Sequence, residues 1–289
     1  MTLGVTPDPS GFVWEWEWEL SLIASLIASQ VAYVVCWFRG GLAPQHAHLA
    51  WKHLAAFTAG LVIIVIALAS PIGANDERLL SMHMVAHDLL IWVAAPILVV
   101  GGVPLLGDTN RLPRYLRQAL ERVTSPLVAL LASTTLLWVW HAPAAFDRAL
   151  ANDVVHGIEH LCFLIGYVLY WWPLVVGPQA IGRLRGHLAR AVYLLVGMMQ
   201  SALLSALIMF HGTVLYTRYL HVPGATLDSA VADQRLAGAL MWYPGAVVFA
   251  LAAAFAIREH GVGPLAGSTV STHQRDHGEG AAALTDPKH

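Results

Sequence analysis

Charge is scarce in this sequence, and so are thiols and lysine. Charged residues fill 12% of the 289 positions against 57% hydrophobic ones, and the mean hydropathy is +0.61. That balance excludes an ordinary soluble globule and points to a polytopic membrane protein. A net charge of -2 and a pI near 6.7 leave no basic footprint, so nucleic acid is not an expected partner. The two cysteines, Cys36 and Cys162, fall near opposite faces of the expected membrane domain, beyond disulfide reach. Lys52 and Lys288 are the only lysines, which leaves none in the last span to carry a retinal Schiff base. A basic n-region and a small-residue cleavage site are also missing before the first apolar run, where Asp8, Glu15, Glu17 and Glu19 are acidic. The first helix is therefore expected to be retained rather than removed as a signal peptide.

What is present is a series of long apolar runs. A span needs roughly 20 mostly apolar residues, and seven stretches qualify, at 18–38, 51–70, 82–103, 125–142, 157–176, 188–210 and 234–257. The expectation is an all-α, seven-transmembrane-helix bundle. Of the sixteen Lys and Arg, twelve fall in one alternate set of connecting segments; the other set holds only Arg78, Arg148, Arg218 and Arg235. The positive-inside rule then puts the N-terminus outside and the C-terminus in the cytoplasm. Residues 1–17 read as an outer segment and 18–258 as the membrane domain. Residues 259–289, rich in Gly, His, Ser, Asp and Thr, read as a disordered cytoplasmic tail. Pro96 and Pro244 fall inside spans, where they are expected to break or kink their helices. Most of the eleven tryptophans lie toward span ends and read as an aromatic belt.

Topology sorts the fifteen histidines. His46, His48, His53, His187, His260, His273, His277 and His289 fall on the cytoplasmic side or in the tail; His83, His87, His141, His156, His160, His211 and His221 fall at or beyond the outer helix ends. His83/His87 and His156/His160 are i,i+4 pairs, whose rings stack on one helical face within reach of a single ion. Met84 and Asp88 stack beside the first pair, the four side chains covering an arc of about 140°. Glu159 shares the face of the second pair, while Asp233 and Met241 belong to the last helix. Ionisable groups in a membrane domain usually face the bundle interior and mark function. Spacing alone does not separate a metal site from a proton relay, since both use His with carboxylates. Imidazole suits zinc, copper, iron and nickel, whereas thioether sulfur favours Cu(I). His and Met ligands also survive an oxidising outer compartment without forming disulfides, so the set fits copper handled outside the cytoplasm.

The runs MHMVAHDLLIWVAAPILVVG, WHAPAAFDRAL, HGIEHLCFLIGYVLYWWPL and DQRLAGALMWYPG, in that order between about residues 80 and 250, resemble the CtaG family of cytochrome c oxidase assembly proteins associated with caa-type oxidases. The resemblance implies a multi-pass factor of the bacterial plasma membrane. It implies a role in making active haem-copper oxidase, with cytochrome c oxidase subunits and a copper donor protein as partners beside the lipid bilayer. The expected activity is non-enzymatic copper binding and delivery. The expected ligands come from His83, His87, His141, His156, His160, Met84, Asp88, Asp233 and Met241. Two other classes stay open. An intramembrane zinc hydrolase could activate water with three histidines and Glu159 or Asp88, although no HExxH occurs. A haem-binding membrane cytochrome could use paired axial histidines.

Overall fold

The computed structural model describes residues 12–39, 47–102, 113–176 and 184–261. Every regular element among the described residues is helical. In chain order they are α1 (Leu20–Arg39), α2 (Ala47–Ala69), α3 (Leu80–Asp88), a π-helical turn (Leu89–Ala94), α4 (Ala95–Gly102) and α5 (Arg114–Val123). There follow α6 (Pro126–Trp140), α7 (Pro143–Leu150), α8 (Asp153–Val175), α9 (His187–Phe210) and α10 (Leu227–Gly261), with a 3-10 turn at Thr217–His221 before the last. Five of these bodies are long and apolar enough to cross a membrane: Leu20–Phe38, Trp51–Asn75, Leu80–Gly102, Asp153–Val175 and Leu188–Phe210. The α5–α6 pair, bent by 59°, makes a sixth if it counts as one span. Each of the seven apolar stretches thus coincides with helix. The expected tail lies outside the described residues from position 262, as does the outer segment up to residue 11.

Local chemistry sets the helix starts. Ser125 precedes Pro126 at the first position of α6, where proline loses no intrahelical hydrogen bond. Asn152 caps α8, its Oδ1 accepting from the Val155 amide at 3.1 Å. This cap starts α8 four residues before the expected position 157 and brings His156 inside the first turn. Thr226 and Ser229 similarly bond each other at the start of α10, so that helix begins at Leu227 and carries Asp233 and Gln234 almost two turns inside it.

Of the two prolines expected to interrupt helices, only Pro96 does so. Lacking an N–H, it cannot bond back to Trp92, and the helix loosens just before it: Ala95 N–H reaches Leu90 O, five residues back. The carbonyl of Ile91 is released and accepts the Trp171 indole N–H at 2.9 Å. Pro244 sits within an unbroken α10.

Most of the core lies among α3, α6, α7, α8, α9 and α10, where Leu80, Met84, Ile91, Leu137, Phe146, Phe163, Tyr170, Ile208 and Met241 are buried together. The α9–α10 approach is close enough that a Cβ on Gly238 would come within 2.8 Å of Met209 and of the Ser205 carbonyl. By contrast α1 rests chiefly on α2, through Tyr33 stacked on Phe57 at 4.1 Å. The extended segment before α1 is tied to the turn after α2. Asn75 both accepts from Val13 N (2.8 Å) and donates to Val13 O (2.7 Å).

Candidate metal centre

Three elements converge beneath the turn that follows α2. From α3 come His83 and His87, one turn apart with ring centroids 4.3 Å from each other. His156 and His160 of α8 are related in the same way at 4.4 Å. The C-cap of α6 supplies His141. Across the helices, His83 stacks on His156 at 5.2 Å, His87 meets His160 at 5.2 Å, and His87 meets His141 at 5.8 Å. All but His156, which is 12% exposed at its side chain, are buried.

Glu159, fully buried on α8, stands between the two faces. Its oxygens lie 3.8 Å from His83 Nε2 and 4.0 Å from His87 Nε2. Asp76, in the turn before α3, places Oδ2 3.6 Å from His156 Nε2. Burial, with Glu77, Glu17 and Glu159 nearby, raises the Asp76 carboxyl well above the usual carboxylate range. A carboxylate in that setting is favoured by a nearby cation that compensates its charge.

Above the histidines sits a cover built from α7 and the loop after α9. Phe146 packs on His83 at 4.8 Å and on Tyr216 at 4.0 Å. Tyr216 donates to His141 O at 3.0 Å, and Tyr219 donates to Asp76 O at 2.8 Å. Phe163 closes the other side against His87 at 4.4 Å. The centre is therefore walled by aromatic rings.

Most of the centre's polar atoms lack hydrogen-bond partners: both ring nitrogens of His83 and of His87, Nε2 of His141, His156 and His160, and both oxygens of Glu159. Buried polar groups are normally satisfied, and so many orphans in one place point to a ligand that they share. His141 shows how the ring is set for one. Its Nδ1 lies 2.8 Å from Leu137 O and must donate there, which leaves the Nε2 lone pair facing the centre. Two trios have donor atoms within 4.8 Å of one another, His83/His87/His160 and Asp76/His83/His156. Nitrogen or oxygen ligands about 2 Å from one ion need contraction of about 1 Å from that spread. The residues present thus fit a metal ion of imidazole and carboxylate chemistry.

Not every expected residue joins the cluster. Met84 and Met241 are buried in the apolar core. Asp88, beyond the histidine pair, accepts a hydrogen bond from Trp92. Asp233 lies 3.4 Å from the Ser81 amide in the first turn of α3, where a carboxylate satisfies a free helix-end donor. His211 and His221 are exposed and bond to local carbonyls. Conversely, Asp76, Phe146, Tyr216 and Tyr219 carry no spacing signal and come in from a turn, a short helix and a loop. One signal was present in the sequence: His156-Gly-Ile-Glu159-His160 is HxxEH, the inverse of HExxH and the order found in inverted zinc peptidases.

A family model for the cytochrome c oxidase caa3 assembly factor matches residues 31–260. Two mycobacterial proteins, one from Mycobacterium bovis and one from Mycobacterium tuberculosis, both named only as uncharacterized, are each 26% identical to this chain over 251 residues. These alignments cover 80% of the chain but 36% of either relative, so the chain spans about a third of their length. No solved structure matches it. By the extent of the family match, the chain belongs to the cytochrome c oxidase caa3 assembly factor family.

Proposed function

We propose that this family member binds copper among the outer histidines and hands it to a haem-copper oxidase subunit during assembly, without catalysing a reaction of its own. One observation carries the reading: buried imidazoles from α3, α6 and α8 converge with unpartnered nitrogens. His83, His87 and His160 hold the ion, His141 lies within one ring contact of His87, and Glu159 balances its charge. Copper is preferred over other imidazole-binding metals because the product of the family's work is a copper enzyme. As cargo, the ion leaves by ligand exchange, one donor at a time.

The setting is a seven-span bundle in the bacterial plasma membrane, N-terminus outside, with α6 and α10 as spans beside the five long apolar helices. The twelve-to-four distribution of Lys and Arg supports this orientation, in which the histidines lie toward the outer face. Partners are the lipid bilayer, an oxidase subunit and a copper donor protein.

The test is equilibrium competition between the purified full chain and a chromophoric chelator for Cu(I) and Cu(II). One copper per wild-type chain is expected, with His83→Ala reducing affinity by at least about tenfold. Absence of stoichiometric copper in either state would overturn the reading.

The HxxEH order favours one competitor, a zinc hydrolase in which both histidines ligate a single ion and Glu159 serves as base. The two α8 histidines, however, fall into different trios. Bound zinc with hydrolysis of an amide substrate would establish that alternative. A haem reading meets a packing obstacle at His83 and His87, against whose rings Phe146 and Phe163 pack at 4.8 and 4.4 Å.

A further inference from the structure

Asp76, His83 and His156 form a second group whose donor atoms lie close enough to share one ion. Its ligand set differs from the first: two imidazoles and a carboxylate instead of three imidazoles, with His83 common to both. Its position differs too. Asp76 and His156 line a cavity of about 1370 Å³ that runs between α1, α2, α4 and α8, as does His160, whereas His83 and His87 do not. Near the second trio the cavity wall carries Glu17, Glu19, Glu77 and Asp153, with Arg78 and Arg218 as the opposing charges. A wall with that excess of carboxylates raises the local concentration of cations.

His83 decides how the two groups relate. A neutral imidazole has one nitrogen lone pair available to a metal, since its other nitrogen carries a proton. His83 therefore serves one ion at a time, and the trios are alternatives rather than a dinuclear centre. We propose that copper enters and leaves through the cavity by way of Asp76, His83 and His156, and passes to His83, His87 and His160 while His83 stays bound. In that passage His156 and the Asp76 carboxylate are exchanged for His87 and His160. No electron is transferred, and any proton on Asp76 is released to water when the ion arrives. The Nε2 atoms of His156 and His160, one from each trio, are buried without hydrogen-bond partners. This inference rests on the copper reading above.

The experiment compares the full-length chain in detergent with two variants, using Cu(I) competition and X-ray absorption. Wild type is expected to bind one copper in an all-nitrogen environment. The double variant His87→Ala/His160→Ala is expected to keep one copper at lower affinity with mixed nitrogen and oxygen coordination, and adding Asp76→Asn should remove it. In an otherwise native chain, Asp76→Asn should leave the stoichiometry at one and slow both loading and release. A folded double variant that binds no copper, while wild type does, overturns the second station and leaves the copper reading intact. Two coppers bound together in wild type overturn the alternation. If the double variant does not fold, the Asp76→Asn kinetics decide, and unchanged rates overturn the proposal. No copper on wild type defeats both readings.

Discussion

Glu159 shows how much one residue is asked to do in this fold. It is fully buried, accepts no hydrogen bond, and faces two imidazoles at 3.8 and 4.0 Å. Burying a carboxylate this way is costly unless a positive charge accompanies it, and a copper ion held by the neighbouring histidines would supply that charge. Glu159→Gln keeps the shape and removes the charge, and its amide can donate to a histidine nitrogen that would otherwise bind metal. Copper affinity is therefore expected to fall by about 10- to 100-fold, the usual penalty for altering a group that supports metal ligands, while the protein stays folded. Chelator competition together with thermal unfolding in detergent checks both halves; unchanged affinity would remove Glu159 from the centre. At this scale the sequence was legible where the pattern is local. The pairs His83/His87 and His156/His160 declare a shared face through spacing alone, and the structure does bring them together. Asp76 was not legible, because its place depends on a turn tied down by Asn75 and Tyr219, residues far from His156 in sequence. Methionine spacing was equally silent on the burial of Met84 and Met241 in the apolar core.

Two elements hold the centre in register. The π-helical turn between α3 and α4 leaves the Ile91 carbonyl to the Trp171 indole, so this span and α8 are coupled about one turn past His87 and about three turns past His160. Trp171→Phe keeps an aromatic ring but leaves that carbonyl unsatisfied, which costs about 1–3 kcal/mol. A lower unfolding temperature in detergent is expected, with weaker copper binding as the α3 and α8 faces lose alignment. Pro96 announced a break in this span, but nothing local told that it would be a π turn satisfied by a tryptophan eighty residues later. The extended segment before α1 is held by Asn75, which bonds Val13 twice and Pro71 once, at 2.7 to 2.8 Å. Asn75→Ala removes all three and is expected to cost about 2–3 kcal/mol, at about 1 kcal/mol per bond. Because Asn75 adjoins Asp76, faster proteolysis of the segment before α1 and slower copper loading should appear together. Limited proteolysis and stopped-flow loading measure the two effects.

For the whole molecule, helix positions were easier to read than helix ends, although five of the seven stretches, or six with the bent α5–α6 pair, are helices long and apolar enough to cross a membrane. Seven apolar stretches all coincide with helix, because a bilayer imposes length and composition on the chain directly. Ends moved where capping residues reached outward, as Asn152 does for α8. Orientation is a separate matter, since it depends on loop charge and not on helix packing. Arg114, Arg117 and Arg122 lie on α5, and Arg185 and Arg190 flank the start of α9; the histidine centre opens at the opposite helix ends, beside Asp76, Glu77 and Asp153. With the basic side in the cytoplasm, a phosphatase reporter that works only outside should be active when inserted after Gly224 and inactive when fused after Gly261. A fluorescent reporter that matures only in the cytoplasm should give the reverse pattern. Activity of the phosphatase after Gly261 would invert the bundle, place the histidines inside the cell, and turn the proposed route of copper around.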